Sequence, residues 1–228
     1  MQTPKNAGRT IAALLLLQMP SAAVVNFVLF KSLFGPPGYL ESASAHSLEI
    51  SLGVVLGLVM QALGAGIALA ALPVFRRYSE AMAFGLLALA AVGMSIGVVE
   101  YIHVRSMLSL SQVYASAGGA NAELFKLLGP AVASMRNWAH FTGLIIAGSV
   151  AFLLYGTLFR FALVPRLLAA FGMIAALLQM TSVGMPLFGF PVVFPMLAPL
   201  GLAHLALAVW LIFKGLPDRE AIAADRRA

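Results

Sequence analysis

Residues 48–72 read LEISLGVVLGLVMQALGAGIALAAL, and after Glu49 no charged side chain appears until Arg76. A bilayer crossing needs about 20 apolar residues in helical form. The stretch meets that length, and it shows no sustained two-residue alternation of the kind a barrel strand needs. Only as a helix can it satisfy its own backbone groups in lipid. Five further runs share this character. The six expected spans cover about 10–33, 48–72, 80–104, 137–158, 161–183 and 194–213.

Composition points the same way. Of 228 residues, 61% are hydrophobic and 10% are charged, and the mean hydropathy is +0.97. Soluble domains carry about a quarter charged residues. A water-soluble globule, a disordered chain and a disulfide scaffold are excluded. The expected fold class is all-α, a polytopic bundle of six transmembrane helices. It forms a single membrane domain over 1–228 with a short cytoplasmic tail at 214–228. Cysteine is absent, which removes a thiolate nucleophile, a thiolate-bound metal and an iron–sulfur cluster.

The first run follows Lys5 and Arg9 and ends in Phe27, Leu29, Phe30 and Leu33. It is too long for a signal peptide and reads as a retained anchor. Six crossings put both termini on one side. That side holds Lys5, Arg9, Arg76, Arg77, Arg160, Arg166, Lys214, Arg219, Arg226 and Arg227, against Lys31, Arg105, Lys126 and Arg136 on the other. The positive-inside rule makes the richer side, with both termini, cytoplasmic. The outer links are 34–47, with Gly35-Pro36-Pro37-Gly38, then 105–136, and then 184–199, rich in glycine and proline. Residues 123–128 of the second could form a short helix on the membrane surface. The third reads as a plain loop or a broken start to the last helix.

Ionisable groups at membrane depth are costly, so they are the first functional suspects. Glu100 and His103 lie three apart, on one face of the third span. His140 and Asn137 enter the fourth span from the same side, Asn26 and Gln179 lie in outer halves, and His204 is mid-span in the sixth. A packed bundle could gather Glu100, His103, His140, Asn137, Asn26, His204 and Gln179 into an outward-facing pocket. That pocket would bind a small apolar or lipid-like ligand, or a membrane-protein partner.

Two other chemistries compete. Glu100, His103 and His140, completed by Glu49 or His204, could hold zinc or iron and acidify a water for hydrolysis. Alternatively Glu100 and His103 could relay a proton in a small transporter, with substrate at the irregular start of the sixth span. Structurally, Glu100 could simply pair with Arg105 or Arg136. One haem held by His140 and His204 is disfavoured by their different depths. Gly53 with Gly57, and Gly93 with Gly97, are small-residue pairs that seat neighbouring helices or a second copy of the chain. No phosphate loop, nucleophile elbow or clustered basic face is present, so nucleic acid is not an expected partner. The dispersed cytoplasmic arginines would meet lipid headgroups.

Several stretches carry a family likeness. They are the helix start after Arg9, the Val99-Glu100 end of the third span, and His140 through Gly143. Leu154-Tyr155-Gly156, Leu163-Val164-Pro165-Arg166-Leu167-Leu168 and the last helix from Leu205 to Gly215 complete the set. Over roughly residues 7–215 the chain resembles the bacterial DUF4386 family, small multi-span membrane proteins of unknown function. The resemblance implies the same spans and a bacterial inner membrane, and it implies no reaction. The family's usual acid early in the last helix has His204 in its region here.

Overall fold

The computed structural model describes residues 3–117 and 121–217. Arg219, Arg226 and Arg227 of the expected tail lie outside the described residues, as do 118–120 of the second outer link. The described chain is helical: α1 Pro4–Ala23, α2 Lys31–Phe34, α3 Tyr39–Ser42, α4 Ser47–Phe75, α5 Glu80–Ser116, α6 Ala122–Arg160, α7 Arg166–Gly184 and α8 Ala198–Phe213. A π-helical segment, Val24–Leu29, continues α1, and short 3-10 turns occur at Ala43–His46, Met185–Phe188 and Phe194–Met196.

Among the described residues, six helical segments are long and apolar enough to cross a membrane. Only 22–33% of their apolar windows is buried within the protein. The remaining apolar surface, with Phe27, Leu127, Leu167 and Phe213 well exposed, is solvated by lipid. The protein is therefore an all-α, multi-span membrane protein in contact with lipid. The third and fourth spans are longer than the hydropathy alone suggests. α5 has 37 residues and α6 has 39, about 55 Å or more at the helical rise, against a hydrocarbon core of about 30 Å. Residues 105–117 contain charge and serine but no proline or glycine, so the helix outlasts its apolar run. The surface helix expected at 123–128 is the first turns of α6.

The described residues form two compact units. One comprises 3–18, 63–94 and 144–217. Its core is a set of helix-face stripes: Ala7, Ile11 and Leu15; Ala71 and Phe75; Ala83 and Leu86; Leu154, Tyr155 and Leu158; Ala203, Leu207 and Leu211. Glycines let the helices close. Gly8 lies against the Gly215–Leu216 backbone, Gly148 under Met180 and Gly172 under the Tyr155 ring. Arg9 Nε donates to the Ile212 carbonyl at 3.3 Å, where the last turn of α8 leaves acceptors free. In the α6–α7 turn Ala162 sits at φ 52°. A left-handed conformation costs a residue with a Cβ about 1–2 kcal/mol. Ala162→Gly is accordingly expected to raise the thermal midpoint slightly, or leave it unchanged, in a detergent unfolding assay. A marked loss would contradict this backbone geometry.

The other unit comprises 19–62 with 95–117 and 121–143. Val25, Phe30, Tyr39, Ile50, Tyr101, Val104 and Leu108 form its core. The Tyr39 hydroxyl donates to the Gly129 carbonyl at 2.9 Å. Ser111 Oγ donates to the Leu40 carbonyl and accepts from the Ser44 N–H, each at 2.9 Å. These bonds pin the segment between α2 and α4. The expected small-residue contacts are made within the chain. A Cβ at Gly53 would collide with Phe30, one at Gly57 with Tyr101, and one at Gly97 with Gln61.

Candidate functional site

Along the part of α5 that belongs to this second unit, buried positions fall at 97, 100, 101, 104, 107, 108 and 111. Glu100 thus occupies a core position of a helical stripe, and its side chain is only 9% exposed. On α6, Arg136 and His140 are four apart and share a face. Both reach the same oxygen. The Arg136 guanidinium donates to Glu100 Oε1 at 2.7 Å, and His140 Nδ1 lies 2.9 Å from it. A carboxylate held by arginine only accepts, so the imidazole Nδ1–H donates. Arg136 also stacks on Phe34, with its carbon centre 4.4 Å from the ring centroid. Its Nε has no hydrogen-bond partner among the described residues, and the ring face supplies part of the missing solvation. Beside this cluster the buried Tyr101 ring lies over Gly57.

The metal reading is overturned by this arrangement. Among the described residues no group of three His, Asp or Glu side chains could hold an ion. Glu100 and His140 do converge, but the third group at the carboxylate is Arg136, a cation that takes a metal's place. His103 is rotated about 60° from Glu100 around the helix. It is half-buried and makes no hydrogen bond to a described residue. Glu49 is exposed and pairs with His46 at 3.0 Å. The set Glu100, His103, His140 and Glu49 is therefore no metal centre, and the hydrolase built on it falls.

Three of the remaining candidates have partners of their own. Asn26 Nδ2 donates to the Ala22 carbonyl of its own helix at 3.0 Å. Asn137 is exposed. In the other unit, His204 Nδ1 is 2.7 Å from the Leu200 carbonyl and its ring meets Tyr155 edge-on at 5.7 Å. Gln179 Nε2 donates to the Leu144 carbonyl at 3.2 Å. Arg136, foreseen only as a structural partner of Glu100, is the residue that organises the cluster. The four-residue spacing of Arg136 and His140 was the signal for it.

An open groove of about 630 Å³ begins at Tyr101. Val54, Leu58, Val98, Ile102, Leu110, Val113 and Val132 make its walls apolar, and Arg105, Ser106 and Ser109 supply the polar groups. Arg105 is exposed, and its terminal nitrogen donates to Ser51 Oγ at 3.2 Å. Thus the buried charges pair with one another, while Arg105, which has no ion-pair partner among the described residues, borders a mostly apolar slot.

A family described as a domain of unknown function, DUF4386, matches residues 10–215. No curated protein and no solved structure matches the chain.

Proposed function

The chain belongs to the DUF4386 family, and on that premise we propose that it is a bacterial inner-membrane protein that binds an anionic, lipid-like amphiphile without transforming it. Both termini face the cytoplasm in this reading, because the lysine and arginine count favours that side. Segments 19–62, 95–117 and 121–143, which carry the groove, then belong toward the outer leaflet.

The observation that carries the reading is the position of Arg105 as the charged side chain lining a mostly apolar groove. The volume lies within the range of small-molecule sites, about 300–1,000 Å³. An acyl chain would lie along Val54, Leu58, Val98 and Ile102. Its anionic head would meet the Arg105 guanidinium, with Ser109 beside it. The network of Glu100, Arg136 and His140 takes no chemical role. It holds α5 against α6 and so fixes one wall.

Binding of a dansyl-labelled fatty acid and of its methyl ester to the purified protein tests this. A charge-assisted hydrogen bond contributes about 1.5–3 kcal/mol, so Arg105→Gln should weaken the acid about ten-fold or more and leave the ester unchanged. Val98→Trp, which fills the slot, should weaken both. Equal affinity of Arg105→Gln and the parent for the acid would refute the headgroup assignment. Saturable binding of neither probe would refute the groove as a site.

A further inference from the structure

We propose that residues 185–197, joining α7 to α8, lie in the headgroup–acyl boundary of the bilayer and not in water. Three independent observations converge on this segment.

The first is charge. No Asp, Glu, Lys or Arg occurs between Arg166 and Lys214. The corresponding connections elsewhere are marked by charge: Lys31 and Glu41 precede α4, while Glu123 and Lys126 open α6. The α7–α8 connection alone among these offers water nothing ionic.

The second is its surface. Phe188 is 79% exposed, Phe194 73%, Phe190 63% and Leu187 58%. The helices that the segment joins expose apolar side chains as well, among them Ile174 and Leu177 of α7 and Leu202 and Leu205 of α8. Those side chains meet lipid, and the aromatic loop offers lipid a surface of the same kind. Phenylalanine and leucine suit the boundary zone.

The third is the backbone. Irregular chain is normally kept from lipid by its orphan N–H groups. Here few remain. Pro186, Pro191 and Pro195 carry none. Gly189 N–H donates to Pro186, Phe190 to Met185, Met196 to Val193 and Leu197 to Phe194. The buried Ser182 hydroxyl clips the loop to α7, accepting from the Val193 N–H at 3.0 Å and donating to the Val193 carbonyl at 2.9 Å. Between Gly189 and Leu197, only Val192 and Phe194 keep an N–H outside this set. The boundary zone, where headgroups and some water remain, can satisfy two donors.

The absence of native cysteine permits a clean test. Single variants Leu187→Cys, Phe188→Cys and Phe190→Cys are compared with Glu123→Cys in liposomes, using a charged maleimide. Residues 123 and 188 are two crossings apart in the chain, so they report from the same side in either orientation. A thiol in apolar surroundings ionises less readily, so the loop sites should label about ten-fold or more slowly. An environment-sensitive fluorophore at each site should be quenched by lipids spin-labelled near the headgroup. Labelling as fast as Glu123→Cys, without quenching, would put the loop in water and overturn the proposal. Slow labelling without lipid quenching, relieved by diluting the protein in lipid, would assign the surface to a second copy and overturn it equally. Agreement among the three loop sites guards against misfolding of one variant.

Discussion

Arg136→Met is expected to lower the stability of the protein by about 3–5 kcal/mol, the effect of removing one partner of a buried ion pair. Glu100 would keep only the His140 bond, with its side chain 9% exposed. Glu100→Gln should cost a comparable amount, since it strands the Arg136 guanidinium between Phe34 and an amide. The double variant Glu100→Gln/Arg136→Met removes both charges together and is expected to recover most of the loss. Arg136→Lys should recover little, because an ammonium neither stacks on Phe34 nor matches the guanidinium's geometry. Unfolding in bicelles or by heat in detergent reads all four. Single variants within about 0.5 kcal/mol of the parent would show that the pair is solvated. Fatty-acid binding measured on the same samples separates this scaffold role from the groove, where Arg105→Gln should weaken binding without a stability loss of this size.

The cluster shows what a membrane sequence discloses and what it withholds. Glu100 was legible as a costly group, since nothing else acidic lies between Glu80 and Glu123. Its choice of partner was half legible. Arg105 is five residues on, about 140° around the helix, so it leaves the face that Glu100 uses. Arg136 and His140 share a face of α6, and that spacing was readable. What could not be read was the register of α5 against α6, which decides whether the two faces meet. Phe34 was still less accessible, because its place over Arg136 depends on the turn through Gly35 and Gly38. The crossings themselves were legible because lipid imposes one requirement on every residue of a span. The extensions of α5 and α6 escaped because hydropathy marks where lipid ends, not where a helix ends. His103 stays outside the cluster because three residues of helix turn its side chain about 60° away from Glu100. Three residues from Glu100 is near enough to share a broad face, yet too far around to share one oxygen.

Tyr155 provides the second large test, in the unit built around α1, α7 and α8. Its side chain is fully buried, it covers Gly172, and it receives His204 edge-on. Tyr155→Ala is expected to cost about 3–5 kcal/mol, as for other buried aromatics truncated to alanine. The loss is one of packing, because neither helices nor lipid tails can fill the space without moving. The hydroxyl should contribute nothing favourable. It has no hydrogen-bond partner among the described residues, and an unpaired buried hydroxyl costs about 1–3 kcal/mol. Tyr155→Phe should therefore be neutral or stabilising, and a loss above about 1 kcal/mol would reveal a partner for the oxygen. Gly172 gives the complementary measurement. A Cβ there overlaps the Tyr155 ring, so Gly172→Ala should destabilise the parent by about 1–3 kcal/mol, the range for overpacking. In the Tyr155→Ala background the same substitution meets empty space and should be neutral or favourable. That reversal of sign is the signature of direct contact. Additive losses in the double variant would mean that the ring and the glycine do not touch, and the packing assigned to α6 and α7 would have to be redrawn.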